Sequence, residues 1–355
     1  MYDLIIIGAG PAGISAAYEA KKAGLSHLVI EKGLIGNTIY NYPVGLTVFS
    51  TTNELEFNHG DLKPAREKPT REELLSYYVR FVLDNGLNVQ TEETVLDVRC
   101  ESPRVSKDDS SDVPTSPLLA RGLSQSERTF EVVSDKARYE SKNILFAIGA
   151  MDYPRKLNVP GEDLPHVFDH FRETYPWVKK KALIVGGGNS AGEAALFLAQ
   201  EGADTTLAIF RSDWENDDPK QGCIKYWVKQ PLEQELNEHC LNLFFLGKVL
   251  EIRPGEIDLE NENGDRVTLA NDVVFVLIGS DADLSMMKGL GVVTKQAKYG
   301  EVPVYDAKTF ETNIPGVFVA GHFTNHRHIK GAIDAAKALV PRLATRLGTN
   351  SEKDI

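Results

Sequence analysis

Short apolar runs followed by glycine-rich turns occur at two places in the chain. The first run, Leu4–Ile7, precedes a turn at residues 8–13 and an alanine-rich helical stretch. The second run, residues 182–185, precedes a turn at residues 186–191 and another helical stretch. A further apolar strand follows in each segment. Because strand, glycine-rich turn, helix and strand in this order begin a Rossmann unit, the pattern predicts two dinucleotide-binding domains in an α/β fold.

Two later apolar strands, residues 143–149 and 273–279, each end at a glycine. Each strand could close one dinucleotide domain, with Gly149 or Gly279 letting the backbone pass near a bound cofactor. Another strand ends at Gly321 and precedes a final helix. These strands predict where the two domains are completed.

The simplest organisation places one dinucleotide domain inside the other. Residues 1–152 and 285–355 form the first predicted domain, and residues 153–284 form the inserted one, each a three-layer ββα arrangement. Residues 101–128 are rich in Ser, Asp, Pro and Arg. We therefore expect a flexible surface loop there.

Composition restricts the partners and the location. The 51 acidic and 39 basic side chains give a net charge of −12, which argues against nucleic acid and membrane surfaces as partners. No apolar run approaches the ~20 residues of a membrane span, and the first residues lack the basic start of a signal peptide. The three cysteines, Cys100, Cys223 and Cys240, lie far apart, so a disulfide framework is not expected and the predicted location is the cytoplasm.

The first glycine-rich turn has the composition of a pyrophosphate site. Its glycines let the backbone approach a phosphate at the start of the following helix. Glu31, at the end of the next strand, suits a free ribose, because a carboxylate accepts hydrogen bonds from hydroxyls and repels a 2′-phosphate. The cofactor-binding residues predicted here are Gly8, Gly10, Pro11, Ala12, Gly13, Glu31 and Lys32.

The second turn differs at the equivalent strand end, which carries Arg211 instead of an acid. An arginine there can pair with a 2′-phosphate and favours NADP over NAD, although the neighbouring Asp213 weakens this preference. The alternative is that Arg211 only ends a solvated strand. The residues predicted to bind this second nucleotide are Gly188, Asn189, Ser190, Glu193, Arg211 and Gly279, with Gly149 and Gly321 at the first site.

The motifs together resemble those of the thioredoxin-reductase-like pyridine nucleotide–disulfide oxidoreductases. The broad likeness rests on the two turns and on residues 146–149 and 312–321. A narrower likeness to the bacillithiol disulfide reductase (YpdA-type) family rests on residues 39–43, 49–50 and 224–227.

The resemblance implies FAD in the outer domain, NADPH in the inserted domain, and a homodimer. It also implies that Asn37, Thr38 and Asn41 lie along the flavin and that the Val95 backbone meets the adenine. The loop after residue 321 and the start of the last helix would meet the flavin ring through backbone N–H groups and the positive helix dipole. The residues of this last segment are His322, Lys330, Gly331, Ala332 and Ile333.

Two departures from these relatives affect the mechanism. The sequence has no Cys-x-x-Cys dithiol, and Ala12 stands where many bacillithiol disulfide reductases carry a cysteine. His322 stands where most broader relatives have an aspartate. The bacillithiol-linked relatives also lack this acid, which supports the narrower resemblance. Cys223 is the one candidate for a redox thiol, whereas Cys240 is expected to be buried. We assign no catalytic residue and no metal site.

The sequence therefore predicts an FAD-dependent NADPH oxidoreductase that passes electrons to an external small-molecule or small-protein acceptor, such as a low-molecular-weight disulfide. One alternative is a flavin-dependent monooxygenase, because residues 188–192 resemble the nucleotide loop of that class. Another is a thioredoxin-reductase-like ferredoxin–NADP reductase, which also lacks a dithiol. A non-enzymatic nucleotide-binding role is the remaining alternative.

Overall fold

The computed structural model describes residues 1–101, 128–216, 218, 224–238, 240–298, 300–326 and 328–348. The predicted loop at 101–128, except for its two end residues, and Cys223 lie outside the described residues. The described chain forms two compact units. The first unit comprises Met1–Asn41, Gly45–Asp152 and Ala282–Ile355, and the second comprises Tyr42–Val44 and Tyr153–Asp281.

The strands, in chain order, are β1 (Leu4–Ile7), β2 (His27–Ile30), β3 (Val89–Gln90), β4 (Val95–Glu101), β5 (Thr129–Ser134), β6 (Arg138–Ser141), β7 (Ile144–Phe146), β8 (Tyr153–Pro154), β9 (Val167–Phe168), β10 (Lys181–Val185), β11 (Asp204–Ile209), β12 (Leu241–Arg253), β13 (Glu256–Asn261), β14 (Arg266–Ala270), β15 (Val273–Val276), β16 (Ser280–Asp281), β17 (Thr294–Ala297), β18 (Gly300–Pro303) and β19 (Val317–Val319). The helices are α1 (Pro11–Lys22), α2 (Asn37–Tyr40), α3 (Thr52–Leu55), α4 (Arg71–Asp84), α5 (Asn189–Gln200), α6 (Arg211–Trp214), α7 (Tyr226–Asn237), α8 (Ser285–Gly289) and α9 (Ile329–Arg346), with a 3₁₀ turn at Tyr175–Trp177.

The first unit is built on a parallel sheet with the strand order β19-β7-β1-β2-β3. All four residues of β1 are buried, as expected for a parallel strand covered on both faces. Helices α1 and α9 pack together, and the Ser15 hydroxyl donates to the Ile333 carbonyl at 3.1 Å. A three-stranded antiparallel sheet, β4-β5-β6, and the β17-β18 hairpin complete the unit.

The second unit contains a seven-stranded sheet in the order β14-β13-β12-β11-β10-β15-β9. The strands from β12 to β9 are parallel, whereas β12, β13 and β14 form an antiparallel meander. Strand β12 joins both parts and carries a register shift beside Gly247. A Cβ on Gly247 would lie 2.5 Å from the Asn261 carbonyl oxygen, so only glycine fits this irregularity.

The same local design occurs in both units: a buried strand, a glycine turn, a helix of 12 residues and a parallel strand beside the first. The predicted α/β class with Rossmann-like elements is confirmed. Among the described residues, no helix is long and apolar enough to cross a membrane.

Candidate functional site

The glycine turn of the first unit is held by contacts that exclude larger residues. Gly8 has φ +110°, and a Cβ there would lie 2.5 Å from the Ala147 carbonyl oxygen. A Cβ on Gly13 would lie 1.9 Å from the Gly8 carbonyl oxygen. By contrast, the space beside Gly10 is open to 4 Å. The turn is therefore closely packed on one side and accessible at Gly10, where a ligand can approach the backbone.

The start of α1 is suited to an anion. Its N-cap is Gly10, and no described side chain caps it or places an acid in the first turn. The backbone N–H groups of Ala12 and Gly13 lie at the positive end of the helix dipole. A pyrophosphate at this position would accept hydrogen bonds from the first turn, so the residues present fit a dinucleotide.

Glu31 ties the end of β2 to the glycine turn. One carboxylate oxygen accepts from the Ala9 N–H at 2.7 Å, and the other accepts from the Gly33 N–H at 2.8 Å. Burial raises the pKa of Glu31, and the two backbone hydrogen bonds oppose that shift. Each oxygen keeps a second lone pair. Glu31 can therefore shape the turn and still accept hydrogen bonds from two ribose hydroxyls.

The other predicted residues near this turn lie on short connecting segments. The Lys32 ammonium pairs with Asp152 at 3.0 Å. Asn37 opens α2 beside Gly33, whose Cβ would lie 2.6 Å from the Asn37 side-chain carbon. Thr38 lies within α2, and Asn41 is its exposed C-cap.

Two predicted glycines follow strands of the first unit, and one of them lies against the turn. Gly321, after β19, has φ +116°, and its Cβ would lie 3.5 Å from the Ala12 Cβ. Gly149, after β7, also has a left-handed φ of +72°. Val95 begins β4 and pairs with Ser134. The fold thus brings the turn at residues 8–13 and the loop after β19 together.

The start of α9 offers backbone donors more than side chains. His328 is its N-cap, and among the described residues no acid lies in the first turn. His322 is exposed, whereas Ala332 and Ile333 are buried, and the Lys330 ammonium pairs with Asp334 at 2.6 Å. The Ala332 N–H donates to the His328 carbonyl at 3.0 Å, and Ile333 lies one residue further into the helix. The predicted role of Ala332 and Ile333 as backbone donors is therefore not supported, and the first-turn N–H groups that can face a ligand include those of Lys330 and Gly331.

The glycine turn of the second unit repeats the close packing. Gly186 has φ +154°, and its Cβ would lie 2.3 Å from the Leu277 carbonyl oxygen. Gly188 is the N-cap of α5 and has open space around it. The Asn189 side-chain oxygen accepts from the Lys225 N–H at 2.8 Å, which ties the turn to the start of α7. Ser190 is exposed beside it.

Glu193 lies on α5 in a half-buried position. Burial raises the pKa of its carboxyl from 4.5 to about 7. Tyr42 belongs to the same unit, and burial together with the nearby Glu193 carboxylate raises the Tyr42 pKa to about 12. Tyr42 is therefore protonated, and Glu193 can change its charge near neutral pH. The charge change at Glu193 and the proximity of Tyr42 were not apparent from the sequence.

Arg211 was predicted at a strand end, but β11 ends at Ile209 and Arg211 begins α6, two residues later. Glu262 accepts from Nε and Nη2, both at 2.6 Å, and Glu215 accepts from Nη1 at 3.1 Å. The guanidinium carbon lies 3.7 Å from the centroid of the Phe245 ring. Arg211 is therefore held by two acids and an aromatic face. Sequence reasoning missed Glu262, because it is 51 residues away and no local motif marks it.

A second arginine lies near Gly279, which has φ +96°. The Arg155 N–H donates to the Gly279 carbonyl at 2.9 Å. The Arg155 guanidinium donates to both oxygens of Asp281, at 3.0 and 2.8 Å. This pair links Arg155 to β16, which follows β15.

One of the two described cysteines, Cys240, differs from what was expected. Cys240 is exposed, not buried, since it lies in the turn between α7 and β12, and its thiol donates to the Glu238 carbonyl at 3.7 Å. Cys100 is half-buried in β4, where burial raises its thiol pKa. A raised pKa reduces the thiolate fraction at neutral pH, so Cys100 is a weak nucleophile.

Comparison with known proteins agrees with this geometry. The sequence matches the family described as pyridine nucleotide-disulphide oxidoreductase over residues 5–107 and 120–321. Bacilliredoxin reductase Bdr from Bacillus subtilis (strain 168) is 32% identical over 318 residues, which cover 89% of this chain and 88% of that protein. The structure of bacillithiol disulfide reductase Bdr (YpdA) from Staphylococcus aureus is 30% identical with a TM-score of 0.82, covering 97% of this chain and 98% of that one.

A thioredoxin reductase from T. acidophilum shares the fold at a TM-score of 0.71 and 18% identity, with 98% of each chain covered. The predicted resemblance to thioredoxin-reductase-like enzymes, and within them to bacillithiol disulfide reductases, is thus confirmed. The chain belongs to the pyridine nucleotide-disulphide oxidoreductase family and is a flavin-dependent oxidoreductase that uses a nicotinamide nucleotide.

Proposed function

We propose that this enzyme binds FAD in its first unit and NADPH in its second, and that it reduces a low-molecular-weight disulfide of the bacillithiol type. The observation that carries the proposal is the pair of glycine turns, each at a helix start without a side-chain cap and each following a parallel strand of its own sheet. Two such sites fit one dinucleotide cofactor and one dinucleotide substrate. The bound flavin would supply the two-electron chemistry that links the pyridine nucleotide to the disulfide.

In the first unit, we assign the turn and α1 to the FAD pyrophosphate. Glu31 has free lone pairs for the two hydroxyls of the adenosine ribose. The first turn of α9 would direct the backbone N–H groups of Lys330 and Gly331, and the positive end of the helix dipole, at the flavin ring, where negative charge develops on reduction. Asn37, Thr38, Asn41 and Val95 remain assigned to this site on the resemblance.

In the second unit, we assign Gly188, Asn189 and Ser190 to the NADPH pyrophosphate at the start of α5. Arg211 carries the charge that a 2′-phosphate needs. Glu193 can take up a proton near neutral pH, which removes a negative charge close to an anionic ligand. NADPH would therefore bind more tightly on the acid side of the Glu193 pKa.

The acceptor is proposed from the relatives and from the thiols. The names of two relatives, bacilliredoxin reductase and bacillithiol disulfide reductase, specify thiol–disulfide chemistry for those proteins. The sequence itself contains no Cys-x-x-Cys pair, and the thiol of Cys100 is held protonated by burial. Electrons would therefore pass to an external disulfide without a dithiol of the enzyme.

The test is stopped-flow absorbance of the holoenzyme. Mixing with NADPH should bleach the visible absorbance band of the oxidised flavin. Bacillithiol disulfide should then restore the band faster than ferredoxin, a quinone or O₂ does. A variant with serine at positions 100, 223 and 240 should reoxidise at an unchanged rate. Lack of bound flavin, preferential reoxidation by ferredoxin, or hydroxylated product in the presence of O₂ would each contradict the proposal.

We also propose a homodimer, as the resemblance implies, and a cytoplasmic location, on the basis of the three widely spaced cysteines. Light scattering coupled to size exclusion should give twice the chain mass of 39.2 kDa. A single-chain mass at micromolar concentration would refute the dimer.

A further inference from the structure

The Arg211 guanidinium is already engaged on the edge that a phosphate uses. Glu262 binds Nε and Nη2 in a two-point pair, both at 2.6 Å. This edge is the one with which arginine binds phosphate in a two-point geometry. A 2′-phosphate on the adenosine ribose and the Glu262 carboxylate would therefore compete for the same two N–H groups.

The local charge adds to this competition. Arg211 contributes one positive charge, while Glu262 and Glu215 contribute two negative charges within 3.1 Å of it. The guanidinium hydrogen bond lowers the pKa of Glu262, so this carboxylate is ionised at neutral pH. A dianionic 2′-phosphate would thus meet a cluster with a net negative charge. A ribose hydroxyl carries no such penalty.

The competing acid, Glu262, is positioned by the sheet and not by the nucleotide-binding segment. The Glu262 N–H donates to the Phe245 carbonyl at 3.1 Å, and Phe245 pairs with Ile209 across β11 and β12. The turn after β13 therefore places the carboxylate beside the end of β11. Phe245 also covers one face of the guanidinium, which limits how far Arg211 can move away.

We propose that Glu262 is a specificity-determining residue of the pyridine nucleotide site, which occupies the phosphate-binding edge of Arg211 and so limits the preference for NADPH over NADH. The inference rests on the proposed function, since it assumes that Arg211 receives the adenosine end of the nucleotide. NADPH binds by displacing or sharing the Glu262 pair, whereas NADH leaves it intact. We therefore expect the enzyme to accept both nucleotides, with Glu262 lowering its preference for NADPH.

The experiment measures binding of two fragments that differ only by the 2′-phosphate. The Kd values of adenosine 2′,5′-bisphosphate and of 5′-AMP are determined by calorimetry for the holoenzyme and its variants. Glu262→Gln removes the charge but keeps the side-chain size. It should tighten the bisphosphate by about tenfold and change 5′-AMP by less than about twofold. Steady-state KM values for NADPH and NADH should change in the same ratio.

Two controls connect the effect to Arg211. Glu260→Gln removes the same charge from β13, where Glu260 pairs with Lys248 at 3.1 Å, and should leave the bisphosphate Kd unchanged. In an Arg211→Gln background, Glu262→Gln should no longer tighten the bisphosphate. A similar gain in Glu260→Gln, a persistent gain without Arg211, or weaker bisphosphate binding in Glu262→Gln would each overturn the proposal.

These outcomes are separable from failure of the proposed function. If NADPH and NADH both fail to reduce the flavin while the fragments bind as expected, the proposed reaction is wrong and the Glu262 assignment stands. If the flavin is reduced but the bisphosphate Kd does not respond to Glu262→Gln, only the Glu262 assignment is wrong.

Discussion

The two glycine turns are closely similar, but the residues proposed to contact the adenosine end of each nucleotide differ in charge and in their hydrogen-bond partners. In the first unit, Glu31 is a buried acid that accepts hydrogen bonds from two backbone N–H groups. They belong to Ala9, which lies 22 positions before it, and to Gly33, which lies 2 positions after it. In the second unit, Arg211 is a half-exposed base held by Glu262, 51 residues away. The position of Glu31 is fixed by the local strand–turn–helix unit, whereas the surroundings of Arg211 are fixed by the register of a β-meander. A local sequence pattern thus identifies the first site, whereas only the sheet shows which acids pair with the arginine of the second.

The largest expected effect separates packing from ligand access within the first turn. Gly13→Ala places a Cβ 1.9 Å from the Gly8 carbonyl oxygen, so backbone must move. We expect a loss of at least about 3 kcal/mol of stability, together with loss of bound flavin. Gly10→Ala, where space is open, should cost less than about 1 kcal/mol, although its methyl group lies at the proposed pyrophosphate position. Thermal unfolding and flavin content provide the measurements, and equal melting temperatures for the two variants would contradict this account.

A second prediction concerns the acid of the second turn. The Glu193 pKa rises from 4.5 to about 7 on folding, so the folded state binds the proton more tightly. Stability should therefore fall as pH rises from 4.5 to 7, with a total penalty of about 3 kcal/mol at most above that range. Glu193→Gln should remove this loss and be more stable than wild type at pH 8, but not at pH 4.

Urea unfolding of apoenzyme at several pH values measures this difference. Glu201→Gln, which changes an exposed acid just after the same helix, is the matched control and should leave the pH slope intact. A Glu193→Gln variant with the wild-type slope would show that Glu193 keeps an ordinary pKa.

A smaller effect is expected at Glu31, where the buried acid is satisfied. Glu31→Gln replaces one acceptor oxygen by an NH₂ group that faces a backbone N–H, either of Ala9 or of Gly33. We expect a loss of about 1–3 kcal/mol and weaker flavin retention. Dialysis against high salt followed by absorbance gives the flavin retained. Unchanged retention and stability would mean that these two hydrogen bonds do not hold the turn.

The smallest effect belongs to the exposed pair of the second unit. Arg155 and Asp281 form a two-point ion pair, but both side chains are more than two-fifths exposed, at 43% and 45%. Asp281→Asn should therefore cost no more than about 1 kcal/mol, and less in 1 M salt. Urea midpoints at low and high salt measure it. A larger, salt-independent loss would assign this pair a structural role beyond its charge.

Much of the local structure was predictable from the sequence. The runs Leu4–Ile7 and residues 182–185 became buried parallel strands, and the turns after them open the helices α1 and α5. This succeeded because a buried parallel strand needs consecutive apolar residues, and a tight turn with left-handed backbone needs glycine at fixed positions. The prediction that Cys240 is buried was wrong, because a residue between a helix and an apolar strand can face solvent when it lies in the turn itself.

Local amino-acid order therefore specifies the two strand–turn–helix units, the acid at one strand end and the arginine near the other, since all of these depend on neighbours within about twenty residues. The tertiary structure decided which groups surround them. The register of β12 and β13 carries Glu262 to Arg211, and the second unit includes Tyr42, far from Glu193 in the chain. Burial and charge at a site depend on such distant contacts, which local spacing does not encode.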